Sequence, residues 1–280
     1  MKIKTLTIVG VGLIGGSIGL AAKRRKLADR VLGGGRRQAS LNQALAIGAI
    51  DEGFLDLAAA VQQAEIAVFC TPVDQIAEQV LASAPGCATG TLLIDAGSTK
   101  AEIVRSVEGR LPKGIAFVGS HPLAGSEKRG AEHADADFFQ DRLTIVTPTP
   151  ATEPSALERT RAFWRALGCR VRVLDPQEHD QALAVTSHLP HLVAAALAGI
   201  LPPELQELSA SGFRDTTRIA AGDPSLWTAI LAQNQLAVLN ALKQLDDQLS
   251  RFREALKVGN WTAVADLLTQ AKKVRDALGN

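Results

Sequence analysis

The feature that most constrains the fold lies in the first fifteen residues, where residues 4–9 read as a buried strand and Gly10-Val11-Gly12-Leu13-Ile14-Gly15 follows at once. The first glycine of such a triplet permits a tight turn, the second lets backbone approach a pyrophosphate, and the third lets helix and strand pack closely. A helix starting near Leu13 aims its amides, those of Leu13 and Ile14 included, and its positive dipole at the phosphates. A glycine triplet alone need be no more than a turn. Here it follows a strand, opens a helix and is followed by another strand, which is the context a dinucleotide site needs.

Through about residue 174 short β-branched runs alternate with longer Ala-rich helical ones. That alternation predicts an α/β, Rossmann-type doubly wound sheet. Candidate strands are residues 6–9, 31–34, 66–70, 92–95, 116–119, 143–147 and 171–174, with a helix over 155–167 joining the last two. After Asp175-Pro176 the strand signal disappears, and residues 177–199, 223–256 and 261–278 show helical periodicity broken only at Pro, Gly and Asn. We therefore divide the chain into a dinucleotide-binding domain, 1–174, and an all-α domain, 175–280. Leu236, Leu239, Leu242, Leu245, Leu249, Phe252 and Leu256 form a stripe with spacings of three and four. Such a stripe is either an intramolecular core face or a dimer interface.

With 280 residues and 46% hydrophobic content, the chain can fill two cores. Thirty basic residues against twenty-nine acidic ones leave a charge of +1, so no global field recruits nucleic acid or an anionic membrane. Cys70, Cys87 and Cys169 are far apart and lack metal-ligand spacing, which fits buried free thiols in a reducing cytoplasm. Lys2 and Lys4 before a mostly apolar stretch imitate a signal peptide, but the glycines within it sit at fingerprint spacing. The apolar run at 192–201 is too short to span a bilayer.

An NAD site expects a carboxylate at the end of the second strand to accept the ribose hydroxyl. This chain has Gly33-Gly34-Gly35-Arg36-Arg37 there, and two guanidiniums suit the extra phosphate of NADP. NADP is therefore the expected cofactor, with NAD the alternative. Thr71 and Pro72 end another strand on the edge where cofactors lie, although Thr71 can instead cap the next helix. Thr99 to Glu102 has the spacing of a capping box, which leaves Ser98 facing the cleft.

The apolar run Phe117-Val118-Gly119 ends at Ser120-His121-Pro122-Leu123-Ala124-Gly125-Ser126-Glu127-Lys128. A strand end that presents an imidazole beside a dinucleotide suggests hydride transfer, because oxidising an alcohol needs a base for the hydroxyl proton. His121 is the candidate base and Ser98 the residue that orients it; a structural histidine is the alternative. In the helical part, Ser187-His188-Leu189-Pro190-His191 places two histidines on one helix face. No carboxylate spacing nearby completes a metal site.

Taken together, these blocks resemble the prephenate/arogenate dehydrogenase family of tyrosine biosynthesis over essentially the whole chain. The resemblance rests on Gly10-x-Gly12-Leu13-Ile14-Gly15-Gly16-Ser17, Asp95-x-Gly97-Ser98-x-Lys100, the His121 to Glu127 segment, Ser187 to His191, and Gly212-Phe213-Arg214-Asp215-Thr216-Thr217-Arg218. It implies an NAD(P)-dependent oxidative decarboxylation of prephenate or arogenate by a homodimer. By that analogy His121 accepts the hydroxyl proton, Ser98 positions it beside the nicotinamide, Arg218 holds a substrate carboxylate, and His188 and His191 line the pocket. Ser126, Glu127, Lys128 and His191 sit where substrate choice is made. Prephenate is favoured slightly, because His191 can donate to a keto group. The Arg36-Arg37 pair departs from NAD-preferring members of the family.

Two other readings keep the glycine loop. One is a dehydrogenase or reductase of a small β-hydroxyacid or imine; such enzymes commonly use a helical lysine, and none occurs between Thr186 and Leu242. The other is a non-catalytic nucleotide sensor, which would not need His121, Ser98 and Arg218 together.

Overall fold

A computed structural model describes residues 1–125, 128 and 130–279. The apolar runs form an eight-stranded sheet among these residues. Its strands are β1 (Ile3–Val9), β2 (Ala28–Gly34), β3 (Glu52–Phe54), β4 (Ile66–Phe69), β5 (Leu92–Asp95), β6 (Ala116–Pro122), β7 (Leu143–Thr147) and β8 (Arg170–Val173), in the order β3-β2-β1-β4-β5-β6-β7-β8. Pairing is parallel from β3 to β6, antiparallel between β6 and β7, and parallel again from β7 to β8.

The sheet is buried on both faces, which is why its central strands are continuously apolar rather than alternating. Side chains alternate between the two faces with period two. Ile66, Val68, Leu92 and Ile94 therefore join one core, lying with α1 (Leu13–Arg24), α2 (Gln38–Ala46) and Trp164. Ala67, Phe69 and Leu93 join the other, against α3 (Leu57–Val61), α4 (Val73–Ser83) and α5 (Ala101–Val107). Helix α6 (Pro154–Ala166), which carries Trp164, links β7 to β8.

Beyond β8 the chain is helical, in α7 (Pro176–Leu183), α8 (Leu189–Gly199), α9 (Ser211–Thr217), α10 (Pro224–Gln233), α11 (Gln235–Lys257) and α12 (Trp261–Ala277). Asp175 starts α7 with a capping box, its carboxylate accepting from the amides of Gln177 and Glu178. A π-helical turn, Ala184–His188, joins α7 to α8, so Pro176–Gly199 is one helix of 24 residues. The wide turn precedes Pro190, whose missing N–H an α-helical ladder could not tolerate. This helix is long and apolar enough to cross a bilayer by length and composition, a test that core helices of soluble proteins also pass.

The chain forms two compact units, Met1–Asn234 and Gln235–Asn280. Helices α7 to α10 thus belong to the sheet's unit, and α11 packs with α12 in the other. Within the second unit Leu236, Leu239, Leu249 and Leu256 of the leucine stripe are exposed, whereas Val238, Ala241 and Ala255 are buried.

The helical span 223–256 breaks at an asparagine, Asn234, whose backbone leaves helical geometry at φ −111° and ψ 26°. Two local expectations require correction. Strand β3 is missing from the sequence reading, because Glu52–Phe54 is short and pairs only at the sheet edge. The strand carrying His121 does not stop at Gly119 but runs on to Pro122, because β7 pairs with its last residues and sets His121 opposite Ile145.

Candidate active site

The carboxyl ends of β1, β4, β5 and β6 lie side by side, and each supplies one part of the site. At β1 the three glycines do distinct work. Gly10 has φ +92°, and a Cβ on it would meet the Cys70 backbone at 2.9 Å and Thr71 at 2.8 Å. A Cβ on Gly15 would lie 2.1 Å from the Gly10 carbonyl oxygen and 2.8 Å from Ile8. Gly12 instead faces open space, with nothing within 4 Å of a built Cβ. Helix α1 begins at Leu13 with no side-chain cap and no acid in its first turn, so the amides at its start remain available for an anion. This cradle fits a dinucleotide pyrophosphate.

Past β2, Arg36 and Arg37 are exposed, and their guanidiniums make no hydrogen bond or ion pair to a described residue. Thr71 lies against Gly10 and donates from Oγ1 to Gln79 Oε1 at 2.7 Å, so it does not cap α4; Pro72 occupies the cap position and is exposed.

The polar centre lies at the ends of β5 and β6. Asp95 is fully buried and accepts from the amides of Gly97 (2.8 Å) and Ser120 (2.9 Å), and from the Lys100 ammonium. Lys100, also fully buried, donates as well to the Ser120 carbonyl at 3.0 Å. Ser120 Oγ donates to the Asp95 carbonyl and accepts from Trp164 Nε1 at 3.0 Å. These bonds satisfy the buried ion pair and clamp β5 to β6 directly beneath His121.

Above them runs a chain of three residues that sequence reasoning missed in part. His121 Nδ1 lies 2.9 Å from His179 Nε2, and His179 Nδ1 lies 2.8 Å from Asp180 Oδ1. Asp180 also accepts from the amides of Lys100 (2.8 Å) and Ala101 (2.9 Å), so its carboxylate caps α5. The capping box expected from Thr99 and Glu102 is therefore not formed. Thr99 Oγ1 instead donates to Gln233 Oε1 at 2.6 Å, and Glu102 pairs with Arg105 and Ser106.

An ionised carboxylate can only accept, and this fixes every proton in the chain. His179 must carry its hydrogen on Nδ1, its Nε2 must accept from His121 Nδ1–H, and His121 Nε2 keeps a free lone pair. That nitrogen has no hydrogen-bond partner among the described residues. Burial pushes the His121 pKa well below the usual imidazole range, and the His179, Lys100 and His188 charges push the same way. Burial also lowers His179, opposed by Asp180. His121 is thus a neutral imidazole with an available base.

Ser98 follows β5, half-buried, but the partner of His121 Nδ1 is His179 and not Ser98. His188, 1% exposed, accepts at Nδ1 from Asn234 Nδ2 at 3.0 Å and meets the edge of Trp227. His191 stacks on Trp227 at 3.6 Å and 11°, with its buried Nδ1 unpartnered. Gly222 must be glycine there, since a Cβ would sit 2.5 Å from Trp227 Nε1 and 2.9 Å from His191. Arg218 is exposed, on a turn packed against α8, and makes no side-chain hydrogen bond or ion pair with the described histidines. Lys128 is exposed; Ser126 and Glu127 lie outside the described residues. No group of three or more candidate metal ligands occurs among the described residues.

Comparison with known proteins decides what this arrangement belongs to. The profile of the prephenate dehydrogenase nucleotide-binding domain matches residues 18–173, and that of the prephenate dehydrogenase dimerization domain matches residues 175–270. The chain belongs to the prephenate dehydrogenase family. A cyclohexadienyl dehydrogenase of Zymomonas mobilis is 32% identical, over 98% of this chain and 96% of its own. A prephenate dehydrogenase of Bacillus subtilis is also 32% identical, over 98% of this chain and 76% of its own. Prephenate dehydrogenase of A. aeolicus, solved with hydroxyphenyl propionate and NAD+, superposes with a TM-score of 0.93 at 30% identity, covering 99% of both chains. Arogenate dehydrogenase of Synechocystis gives 0.82 at 30% identity, covering 98% of this chain and 99% of its own. Membership in the prephenate dehydrogenase family thus extends over both compact units.

Proposed function

We infer that this chain catalyses the NADP-dependent oxidative decarboxylation of prephenate to 4-hydroxyphenylpyruvate. The observation that carries the reading is the Asp180–His179–His121 chain, which leaves an unprotonated nitrogen at the carboxyl edge of a dinucleotide-binding sheet. Gly10, Gly12, Leu13, Ile14 and Gly15 would hold the pyrophosphate, Thr71 and Pro72 would flank the cofactor, and Ser98 would position the nicotinamide end. The bound nicotinamide supplies a hydride acceptor. His121 Nε2 takes the proton of the substrate hydroxyl as hydride leaves the same ring carbon. Loss of the ring carboxylate as carbon dioxide returns its bonding electrons to the ring, and the phenolate oxygen recovers the proton from His121. Aromatisation makes the sequence effectively irreversible.

His179 and Asp180 are positioning residues that hold the base in its productive tautomer. Arg218, a guanidinium with no described partner, would bind a substrate carboxylate bidentately, with Ser126, Glu127, Lys128, His188 and His191 completing the pocket. Arg36 and Arg37 favour NADP because they would attract a 2′-phosphate and no carboxylate adjoins them in the sequence to repel it. Residues 1–174 would serve the dinucleotide and 175–280 the substrate and a second copy of the chain. The dimer would bury Leu236, Leu239, Leu249 and Leu256, which are too numerous on one helix to leave in water. A cytoplasmic location fits a soluble biosynthetic enzyme with three free cysteines.

Product analysis tests the reading. Wild-type protein should form 4-hydroxyphenylpyruvate and reduced cofactor in equal amounts from prephenate, and His121→Asn should bind cofactor normally while losing about 10²–10⁴-fold in turnover. An unimpaired variant would refute the base assignment.

A further inference from the structure

The mechanism does not use Asn234, although it is a buried polar residue at the break between two helices. It makes two bonds through one atom. Nδ2 lies 2.7 Å from the Asp180 carbonyl oxygen and 3.0 Å from His188 Nδ1. A backbone carbonyl can only accept, so the atom facing it is the amide nitrogen and not the oxygen. The second hydrogen of that nitrogen then points at His188, whose Nδ1 must accept. A neutral imidazole that accepts at Nδ1 carries its hydrogen on Nε2. His188 Nε2 makes no hydrogen bond to a described residue, and it is not among the occluded, unpartnered atoms.

Neighbouring contacts hold this geometry. Gln233 Nε2 donates to the Val73 carbonyl at 2.9 Å, and its Oε1 accepts from Thr99, so the end of α10 is fixed to the start of α4 and to the loop after β5. Asn234 is fixed to α7 through Asp180, the same residue that orients His179. The other titratable groups acting on His188 are Asp180 and His179, and Trp227 packs against the ring in a T-shaped contact.

We propose that Asn234 is a specificity-determining positioning residue: it locks His188 as a fixed Nε2–H donor, so that the pocket accepts a keto or carboxylate oxygen at that point and disfavours an ammonium. The inference rests on the proposed function for its substrate pair, but its primary observable does not. A locked donor offers an ammonium no lone pair, whereas either oxygen of a keto acid or carboxylate accepts from it.

Long-range proton–nitrogen correlation spectra of histidine-labelled wild-type protein at neutral pH read the tautomer directly. The expected result is His188 neutral, with Nδ1 unprotonated and Nε2 protonated. A protonated Nδ1 would overturn the proposal. In Asn234→Asp the new carboxylate can only accept, so Nδ1 should gain a proton, and the preference for prephenate over arogenate in kcat/KM should fall about three- to tenfold, the effect of one hydrogen bond. His188→Asn keeps an acceptor opposite Asn234 but has no ring to lock. Adding Asn234→Asp to it should change the preference no further; the same loss in both backgrounds would assign Asn234 a purely structural role and refute the proposal. Should the wild type turn over neither substrate, the proposed function fails while the tautomer result still stands.

Discussion

The burial of His188 makes the fold less stable in acid. Its pKa is pushed from the ordinary 6.5 down to about 4, chiefly by desolvation, with Asp180 opposing the shift and His179 adding to it. The unfolded chain takes up a proton near pH 6.5, and the folded chain only near pH 4. The depressed imidazole therefore costs nothing above pH 6.5, destabilises the fold progressively as pH falls through that window, and reaches its full effect below pH 4. The shift of about 2.5 units, at about 1.4 kcal/mol per unit, corresponds to about 3 to 4 kcal/mol in full, of which about 3 kcal/mol is lost by pH 4. His188→Asn isolates this contribution, because Asn Oδ1 can accept from Asn234 in place of Nδ1 and does not titrate. Urea unfolding at pH 7 and pH 4, at one protomer concentration, should show the wild type losing about 3 kcal/mol more than the variant on acidification. Equal losses would mean that His188 is solvated in the folded protein, and the desolvation argument would be wrong.

Two other substitutions test separate links. His179→Leu removes the acceptor for His121 Nδ1–H, so the imidazole loses its fixed tautomer; turnover should fall about 10- to 100-fold with cofactor affinity unchanged, and a kcat within threefold of wild type would remove His179 from the mechanism. The double change Arg36→Ala and Arg37→Ala should raise the KM for NADP about tenfold or more while leaving that for NAD nearly unchanged; equal effects on both cofactors would place the guanidiniums away from the 2′-phosphate.

Much of the fold could be read from the sequence because its signals are local. The glycine triplet with its flanking strand and helix specifies a backbone geometry that few other sequences satisfy, and buried parallel strands announce themselves as short apolar runs. The residues that orient the base were less visible for a physical reason. His179 and Asp180 look like polar surface residues of a well-capped helix. Yet Pro176, His179, Asp180, Leu183 and Ala184 are all buried, on a stripe with spacings of three, four, seven and eight. Two polar residues on the inward face of an amphipathic helix were the available signal. Asn234 gave no comparable sign, since its partners, Asp180 and His188, are 54 and 46 residues distant. The Thr99 to Glu102 spacing misled for the converse reason: a carboxylate from another helix already capped α5, and no local pattern records a competitor from a distant segment.

The initial rate of reduced-cofactor formation by the purified protein, across prephenate and arogenate and each with NAD and with NADP, tests the proposed reaction most directly. Turnover with prephenate, the highest kcat/KM with NADP, and a lower value with arogenate are expected. No turnover in any of the four combinations, with nucleotide binding intact, would contradict the proposed reaction.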